Sequence, residues 1–226
     1  MPASTVERRN EPPGDRYDVV VVGSGIGGLV AGALLAQHGR SVLLVEQHDV
    51  AGGAATIFRR RGYEFDVGLH YVGGCHDDGV IPRILRASGV PDIVFEELDP
   101  DGYDILAFPD ATYRVPRGID RYRERLCADF SDEVAAIDRW IAVLRQLDRC
   151  LRAWPRPLGL AAALLRSPLL LRHQGATLER FFDGCGASPR LRAVLGAQHV
   201  GYALPPSRAS LLVGAGIALH YLDGAY

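Results

Sequence analysis

The sequence contains no lysine, although it has 25 basic residues, all of them arginine. This absence excludes a P-loop lysine, a Schiff-base lysine and a lysine acting as a catalytic base. The arginines are balanced by 27 acidic residues, which gives a formal net charge of -2. A balance so close to neutral gives no general reason to expect nucleic acid as a partner.

Cysteine is scarce, and long apolar runs are missing. The four cysteines are widely spaced, which indicates neither a zinc site nor a CxxC redox pair. We interpret them as free thiols of a reducing compartment and expect a cytoplasmic protein. No run of 18 apolar residues occurs, so we expect no spanning helix. Residues 1–15 are polar and proline-rich, which predicts a disordered lead-in rather than a signal peptide.

A run of four valines leads directly into a cluster of glycines near the N-terminus. Residues 19–22 are β-branched, which is typical of a strand buried on both faces. The small and apolar residues after the glycines predict a helix that ends at Gly39. Residues 41–45 predict a second strand. Together they form a strand–helix–strand unit of about 30 residues.

The glycines of this unit form the pattern G-x-G-x-x-G, with Gly23, Gly25 and Gly28. The first permits a tight turn, the second lets the backbone approach a pyrophosphate, and the third allows close helix–strand packing. The helix N-terminus adds free N–H groups for phosphates, and we include Ser24 among the contacts. Glu46 lies 18 positions after Gly28 (46 minus 28). There it can accept hydrogen bonds from ribose hydroxyls, while its charge disfavours the 2′-phosphate of NADP.

A second glycine pair, Gly52 and Gly53, follows this acidic residue, with Thr56 close behind. A domain that binds only NAD has no obvious need for this pair. A longer ligand would pass the backbone at a second place, and glycines there would let the backbone come close to it. FAD is long enough to run from Glu46 past this loop. The alternative is an ordinary loop, since glycine pairs often mark turns. We predict FAD as the cofactor, with these residues among its contacts.

The run from residue 23 to residue 56 resembles the N-terminus of FAD-dependent amine-oxidase-like flavoproteins, especially the phytoene desaturase, carotenoid isomerase and retinol saturase group. RRGYEFDVGLHYVGG at 60–74 and LPPSRASLLVGAGIALHYLDGAY at 204–226 are similar to the same group. The resemblance implies an α/β fold, with a Rossmann-type FAD-binding core, a β-hairpin and a mainly helical substrate region. It also implies oxidation, reduction or isomerisation of carbon–carbon double bonds in a hydrophobic polyene, either a carotenoid or a retinoid-like molecule.

Proteins of this group are longer, with a second flavin-binding segment, so the resemblance makes this chain an N-terminal half. Two other functions stay open: a non-catalytic FAD-binding fragment or split subunit that lacks its C-terminal half, and another amine-oxidase-like flavoenzyme.

The resemblance implies that residues 68–74 lie near the flavin and the substrate. There His70 is a candidate proton donor or flavin contact and Tyr71 a candidate cavity-lining residue. The alternatives are a histidine that holds the loop and a tyrosine that packs.

We divide the chain into the lead-in 1–15, the FAD-binding core 16–75 and the substrate region 76–226, with no metal site. The substrate region is expected to be mainly helical with one hairpin, and Ser131 is predicted to cap its amphipathic central helix. The predicted elements are a helix over 81–88, strands over 103–108 and 111–115, helical structure over 120–174 and a last helix over 208–222.

Residues 139–172 hold seven arginines and a single acidic residue, Asp148. They also contain Trp140, Trp154 and many aliphatic side chains. This combination suits a helix that lies on a membrane surface, so we expect peripheral membrane contact there. The alternative is a helical region with solvated arginine faces. Nucleic acid is a weaker expectation, because the rest of the chain is acidic.

Overall fold

The computed structural model describes residues 14–68, 71–90, 93–154, 156–198 and 204–226. The chain divides into two compact units. The first comprises the described residues of 1–70 and 77–94, and the second those of 71–76 and 95–226.

The first unit is built around two parallel strands joined by a helix. Strand β1 (Val19–Val22) pairs with β2 (Val42–Val45), and α1 (Ile26–Gln37) connects them. The helix ends just before Gly39, whose φ of 76° lets the chain turn away in the left-handed conformation that glycine favours. This confirms the strand–helix–strand unit that the sequence predicts. A further helix, α2 (Val80–Ala87), packs against α1 and matches the helix expected over 81–88.

Strand β1 is not buried on both faces, in contrast to the prediction from its valines. Val22 is 84% exposed and Val20 is exposed as well. The reason is the size of the sheet, since β2 is the only partner of β1 among the described strands. Parallel strands are normally covered on both faces, so this small sheet leaves one apolar side open.

An antiparallel hairpin follows the second glycine pair. A short 3-10 turn (Gly53–Ala55) leads into β3 (Ile57–Arg60), which pairs with β4 (Tyr63–Asp66). The rings of Phe58 and Phe65 stack across the two strands with centroids 5.0 Å apart. In β4 the aromatic side chains of Tyr63 and Phe65 alternate with acidic ones, a pattern typical of a strand with one polar face.

The second unit is a helical assembly centred on α4 (Val134–Ala153), which packs against most of its other helices. Its side chains Ile137, Trp140 and Leu144 are fully buried. Three helices, α5 (Pro157–Leu165), α6 (Pro168–His173) and α8 (Pro189–Leu195), each begin with a proline, because proline fits the first helical turn and interrupts the helix before it. The other surrounding helices are α3 (Ile119–Asp129), α7 (Leu178–Cys185) and α9 (Leu211–Leu222).

The prediction that Ser131 caps α4 is wrong. Ser131 opens a 3-10 turn that ends at Glu133, so it lies too far ahead of the first residue of α4 to cap that helix. The Glu133 carboxylate instead accepts hydrogen bonds from the Ser188 backbone N–H at 2.6 Å and from its hydroxyl at 2.7 Å. This acidic residue therefore supports the start of α8.

The hairpin of the second unit is confirmed as β5 (Asp104–Ala107) paired with β6 (Thr112–Val115). The Arg190 guanidinium of α8 donates to both Asp110 carboxylate oxygens, at 2.7 and 2.8 Å, and to the Tyr113 hydroxyl at 3.0 Å. These bonds fasten the turn of the hairpin to the helical assembly.

The last helix, α9, begins three residues later than predicted. Ser210 is held in extended conformation by a bridge to Thr177, which delays the helix start. None of the helices in the described ranges is long and apolar enough to cross a membrane.

Leu144→Ala is expected to lower the free energy of unfolding of the second unit by about 2–5 kcal/mol, because it leaves a cavity in a fully buried position. Leu151→Ala, on the same helix but 50% exposed, should cost less than about 1 kcal/mol. Urea unfolding followed by the fluorescence of buried Trp140 measures both. Equal losses would contradict this account of the core.

Candidate functional site

The turn between β1 and α1 has the geometry expected of the glycine motif. Gly23 has a φ of 94°, a left-handed conformation that favours glycine. Gly28 lies in the first turn of α1, where an added Cβ would overlap the carbonyl oxygen of Gly23. The third glycine therefore allows close packing of helix and strand, as the sequence predicts.

Gly25 immediately precedes α1 and leaves space in front of the helix. A Cβ on Gly25 would have no atom within 4 Å. The first N–H groups of α1, at Ile26 and Gly27, have no acceptor within the helix, and Gly25 has no side chain that could cap them. Open space, free donors and the partial positive charge of the helix N-terminus together fit an anionic phosphate.

Glu46 follows β2, and its carboxylate ties the end of that strand to the glycine turn. Oε2 accepts hydrogen bonds from the Ser24 hydroxyl and from the Ser24 backbone N–H, both at 2.6 Å. Oε1 accepts a hydrogen bond from the His48 backbone N–H at 2.9 Å. These bonds, above all those from Ser24, lower the pKa of Glu46 to about 2. The carboxylate is therefore ionised at neutral pH.

Two observations refine the roles that the sequence predicts for Ser24 and Glu46. Ser24 is fully buried, and its hydroxyl is used by Glu46. No sequence signal distinguishes this contact from an ordinary loop serine. Glu46 accepts three hydrogen bonds, whereas an ionised carboxylate has about four acceptor sites. Acceptor capacity for a ribose hydroxyl therefore remains.

The second glycine pair packs directly on the first glycine turn. The Gly52 backbone N–H donates to the carbonyl oxygen of Ser24 at 2.9 Å, and Gly52 lies opposite Gly25 in a parallel bridge. An added Cβ on Gly53 would lie 3.0 Å from the Cα of Gly25. Thr56 ends this turn with a half-buried side chain. The pair thus brings two backbone segments together beside the open space of the helix N-terminus.

Of the two candidate catalytic residues, His70 lies outside the described residues. Tyr71 belongs to the second unit, where its hydroxyl donates to Asp104 Oδ2 at 3.1 Å. Its ring packs edge-on against Tyr221 and Tyr103, with centroids 4.7 and 6.3 Å away. Burial and the neighbouring carboxylate raise the pKa of Tyr71 well above its usual range. Sequence reasoning missed this cluster, because its members are distant in the chain.

The described residues contain no group of three or more His, Cys, Asp or Glu side chains that could hold a metal ion. The cysteines are free thiols, of which Cys75 and Cys150 are buried.

Comparison with known protein families identifies the first unit. Residues 21–88 match the NAD(P)-binding Rossmann-like domain family. The matched range contains both glycine segments and Glu46, so it confirms the Rossmann-type fold predicted from the sequence.

Two curated relatives extend the similarity beyond that domain. The all-trans-retinol 13,14-reductase of Danio rerio is 31% identical over 224 residues, which cover 92% of this chain and 37% of the reductase. The chloroplastic prolycopene isomerase of Arabidopsis thaliana is 34% identical over 139 residues, which cover 60% of this chain and 23% of the isomerase. The chain therefore spans well under half the length of either relative.

A solved structure shows the same fold. Putrescine oxidase with bound putrescine aligns over 90% of this chain and 41% of its own, with a TM-score of 0.53 and 16% sequence identity. At this identity the likeness concerns the fold alone.

Gly28→Ala is expected to destabilise the turn between β1 and α1 by about 1–3 kcal/mol, because the new methyl group overlaps the backbone of Gly23. Hydrogen exchange at the amides of α1 measures the effect. Gly27→Ala is the matched control, since its Cβ would have no atom within 4 Å. It should leave exchange unchanged or slow it, and equal effects of the two changes would refute the packing role of Gly28.

The bond between Glu46 and Ser24 should weaken in acid. Because the folded pKa of Glu46 lies below its ordinary value of 4.5, the stabilisation is complete above that pH and is lost as the pH falls toward about 2. Exchange of the Ser24 amide should accelerate over this range beyond the intrinsic pH effect. Glu46→Gln should remove this extra pH dependence, and its persistence in the variant would contradict the assignment.

Proposed function

We propose that this chain, which is similar to retinol 13,14-reductase and prolycopene isomerase, is the FAD-binding part of an oxidoreductase that acts on carbon–carbon double bonds. The observation that carries the proposal is the open space before α1, bounded by Gly25 and the second glycine pair. It leaves backbone donors available for a pyrophosphate, with an ionised carboxylate nearby.

Several residues would hold the cofactor. The N–H groups that begin α1 would donate to the pyrophosphate, and Glu46 would accept from a ribose hydroxyl. Ser24 would act through Glu46 by keeping the carboxylate ionised and oriented. The charge of Glu46 would repel a 2′-phosphate, which favours FAD over NADP. The pair at Gly52 and the nearby Thr56 would follow the extended ligand beyond its ribose.

When bound, FAD would supply the hydride transfer, while the protein supplies orientation and electrostatics. Tyr71 would hold its proton on Oη, because its pKa is raised and the hydroxyl is hydrogen-bonded to Asp104. We propose that Tyr71 lines a substrate cavity and that His70 is a polar contact in the same segment.

The four free thiols support a reducing compartment, and we propose that the protein resides in the cytoplasm.

The names of the relatives support a polyene substrate of retinoid or carotenoid type. Saturation of such a substrate adds a hydride and a proton across one double bond, and desaturation is the reverse.

A second candidate is an FAD-binding subunit or fragment without activity of its own. The observation that favours this candidate is the extent of the match, because the aligned residues cover only 37% of the reductase. Purified chain loaded with FAD and reduced chemically, then mixed with all-trans-retinol without oxygen, separates the two. Flavin reoxidation with loss of polyene absorption supports the enzyme, whereas bound flavin without turnover supports the non-catalytic subunit.

Gly25→Val is expected to abolish flavin retention, because its branched side chain fills the space before α1. The absorption spectrum of the purified chain, with the released nucleotide then identified, measures this. Gly184→Val is the matched control, since this glycine lies in the second unit and an added Cβ there would also have no atom within 4 Å. It should retain flavin fully. Wild-type flavin content in Gly25→Val would refute the proposed site.

A further inference from the structure

Helix α5 has an apolar side that no described part of the chain covers. Its inner side packs against α4 and buries Ala163. On the outer side, Leu158 is 88% exposed and Leu165 is 81% exposed, with two exposed alanines between them. Residues spaced by three, four and seven positions share one helix face, so these side chains form a continuous apolar strip.

An exposed tryptophan immediately precedes this helix. Trp154 follows the last residue of α4 and is 70% exposed, whereas the other tryptophan, Trp140, is fully buried. Single exposed apolar residues are common on proteins, but an aromatic residue next to an apolar helix face indicates an interaction surface. Tryptophan is also enriched where apolar and aqueous regions meet.

The same segment is strongly basic. Residues 149–172 contain five arginines and neither aspartate nor glutamate. Arg156 and Arg166 flank the two ends of α5 and are exposed. Arg152 is paired with Asp148, at 2.9 Å, which leaves most of the positive charge without an acidic partner in the segment. The strip of leucines is therefore bordered by cationic groups at both ends.

We propose that this α5 surface, formed by Trp154, Arg156, Leu158, Leu165 and Arg166, docks on an anionic phospholipid bilayer. The leucines and the indole would enter the boundary between headgroups and acyl chains, and the two arginines would meet lipid phosphates. An anionic bilayer offers apolar depth and negative charge together, which matches both properties of the surface. The inference goes beyond the proposed function, since it requires neither FAD nor a polyene.

Co-sedimentation of the 226-residue chain with vesicles tests the proposal. The chain should bind vesicles of phosphatidylcholine mixed with phosphatidylglycerol, bind pure phosphatidylcholine more weakly, and lose affinity as salt rises. Leu158→Ser with Leu165→Ser should weaken binding at least about tenfold for each leucine. Arg156→Gln should weaken it about fivefold.

Two control variants remove similar side chains elsewhere. Val94→Ser removes an apolar side chain that is 91% exposed, and Arg180→Gln removes an exposed arginine of α7. Both should bind vesicles like the unaltered chain. Gly25→Val should also bind normally, so failure of the proposed FAD site and failure of the membrane surface can be distinguished.

Fluorescence gives a second readout that does not depend on the folding of any variant. The emission of Trp154 should shift to shorter wavelength and become protected from acrylamide when anionic vesicles are added, whereas buried Trp140 should contribute no change. No binding to anionic vesicles, or equal binding by the double leucine variant, would overturn the proposal. Self-association that disappears in that variant, without vesicle binding, would instead identify a second copy of the chain as the occupant.

Discussion

The candidate site depends on one interaction, the double hydrogen bond from Ser24 to the carboxylate of Glu46. It connects the turn after β1 to the end of β2, and it therefore fixes the start of α1 relative to both parallel strands. The same turn then presents the carbonyl oxygen of Ser24 to Gly52, which brings the second glycine segment to this edge. Without this carboxylate, the turn, the helix start and the second glycine segment would lose their common anchor.

The sequence predicts the Rossmann-type unit well because glycine spacing and strand–helix–strand order are local properties. Gly23 and Gly28 lie only five positions apart, and their roles follow from backbone sterics. The site also contains a contact that local reasoning could not supply. Ser24 is separated from Glu46 by 22 positions, and nothing in the pattern indicates that its hydroxyl is buried against that acidic residue.

The errors have a common physical cause. The valines of β1 predict burial on both faces, but burial depends on neighbouring strands that a short segment does not specify. Ser131 has the right residue type for a cap, yet the intervening 3-10 turn shifts the helix start. The contacts of Tyr71 are not an error but were not anticipated for the same reason, because they involve residues more than 30 positions away, such as Asp104. The sequence pattern thus predicts where helices and strands occur better than it predicts which residues they contact.

Comparison of FAD with FMN tests the central claim most directly, because FMN lacks the pyrophosphate and adenosine that the glycine turn and Glu46 are proposed to hold. Equilibrium titration of the flavin-free chain with each ligand, followed by flavin fluorescence, gives both dissociation constants. The account predicts that FAD binds and that FMN binds at least about a hundredfold more weakly, since several phosphate and ribose hydrogen bonds are absent. Equal affinity for the two, or no affinity for FAD, would contradict it.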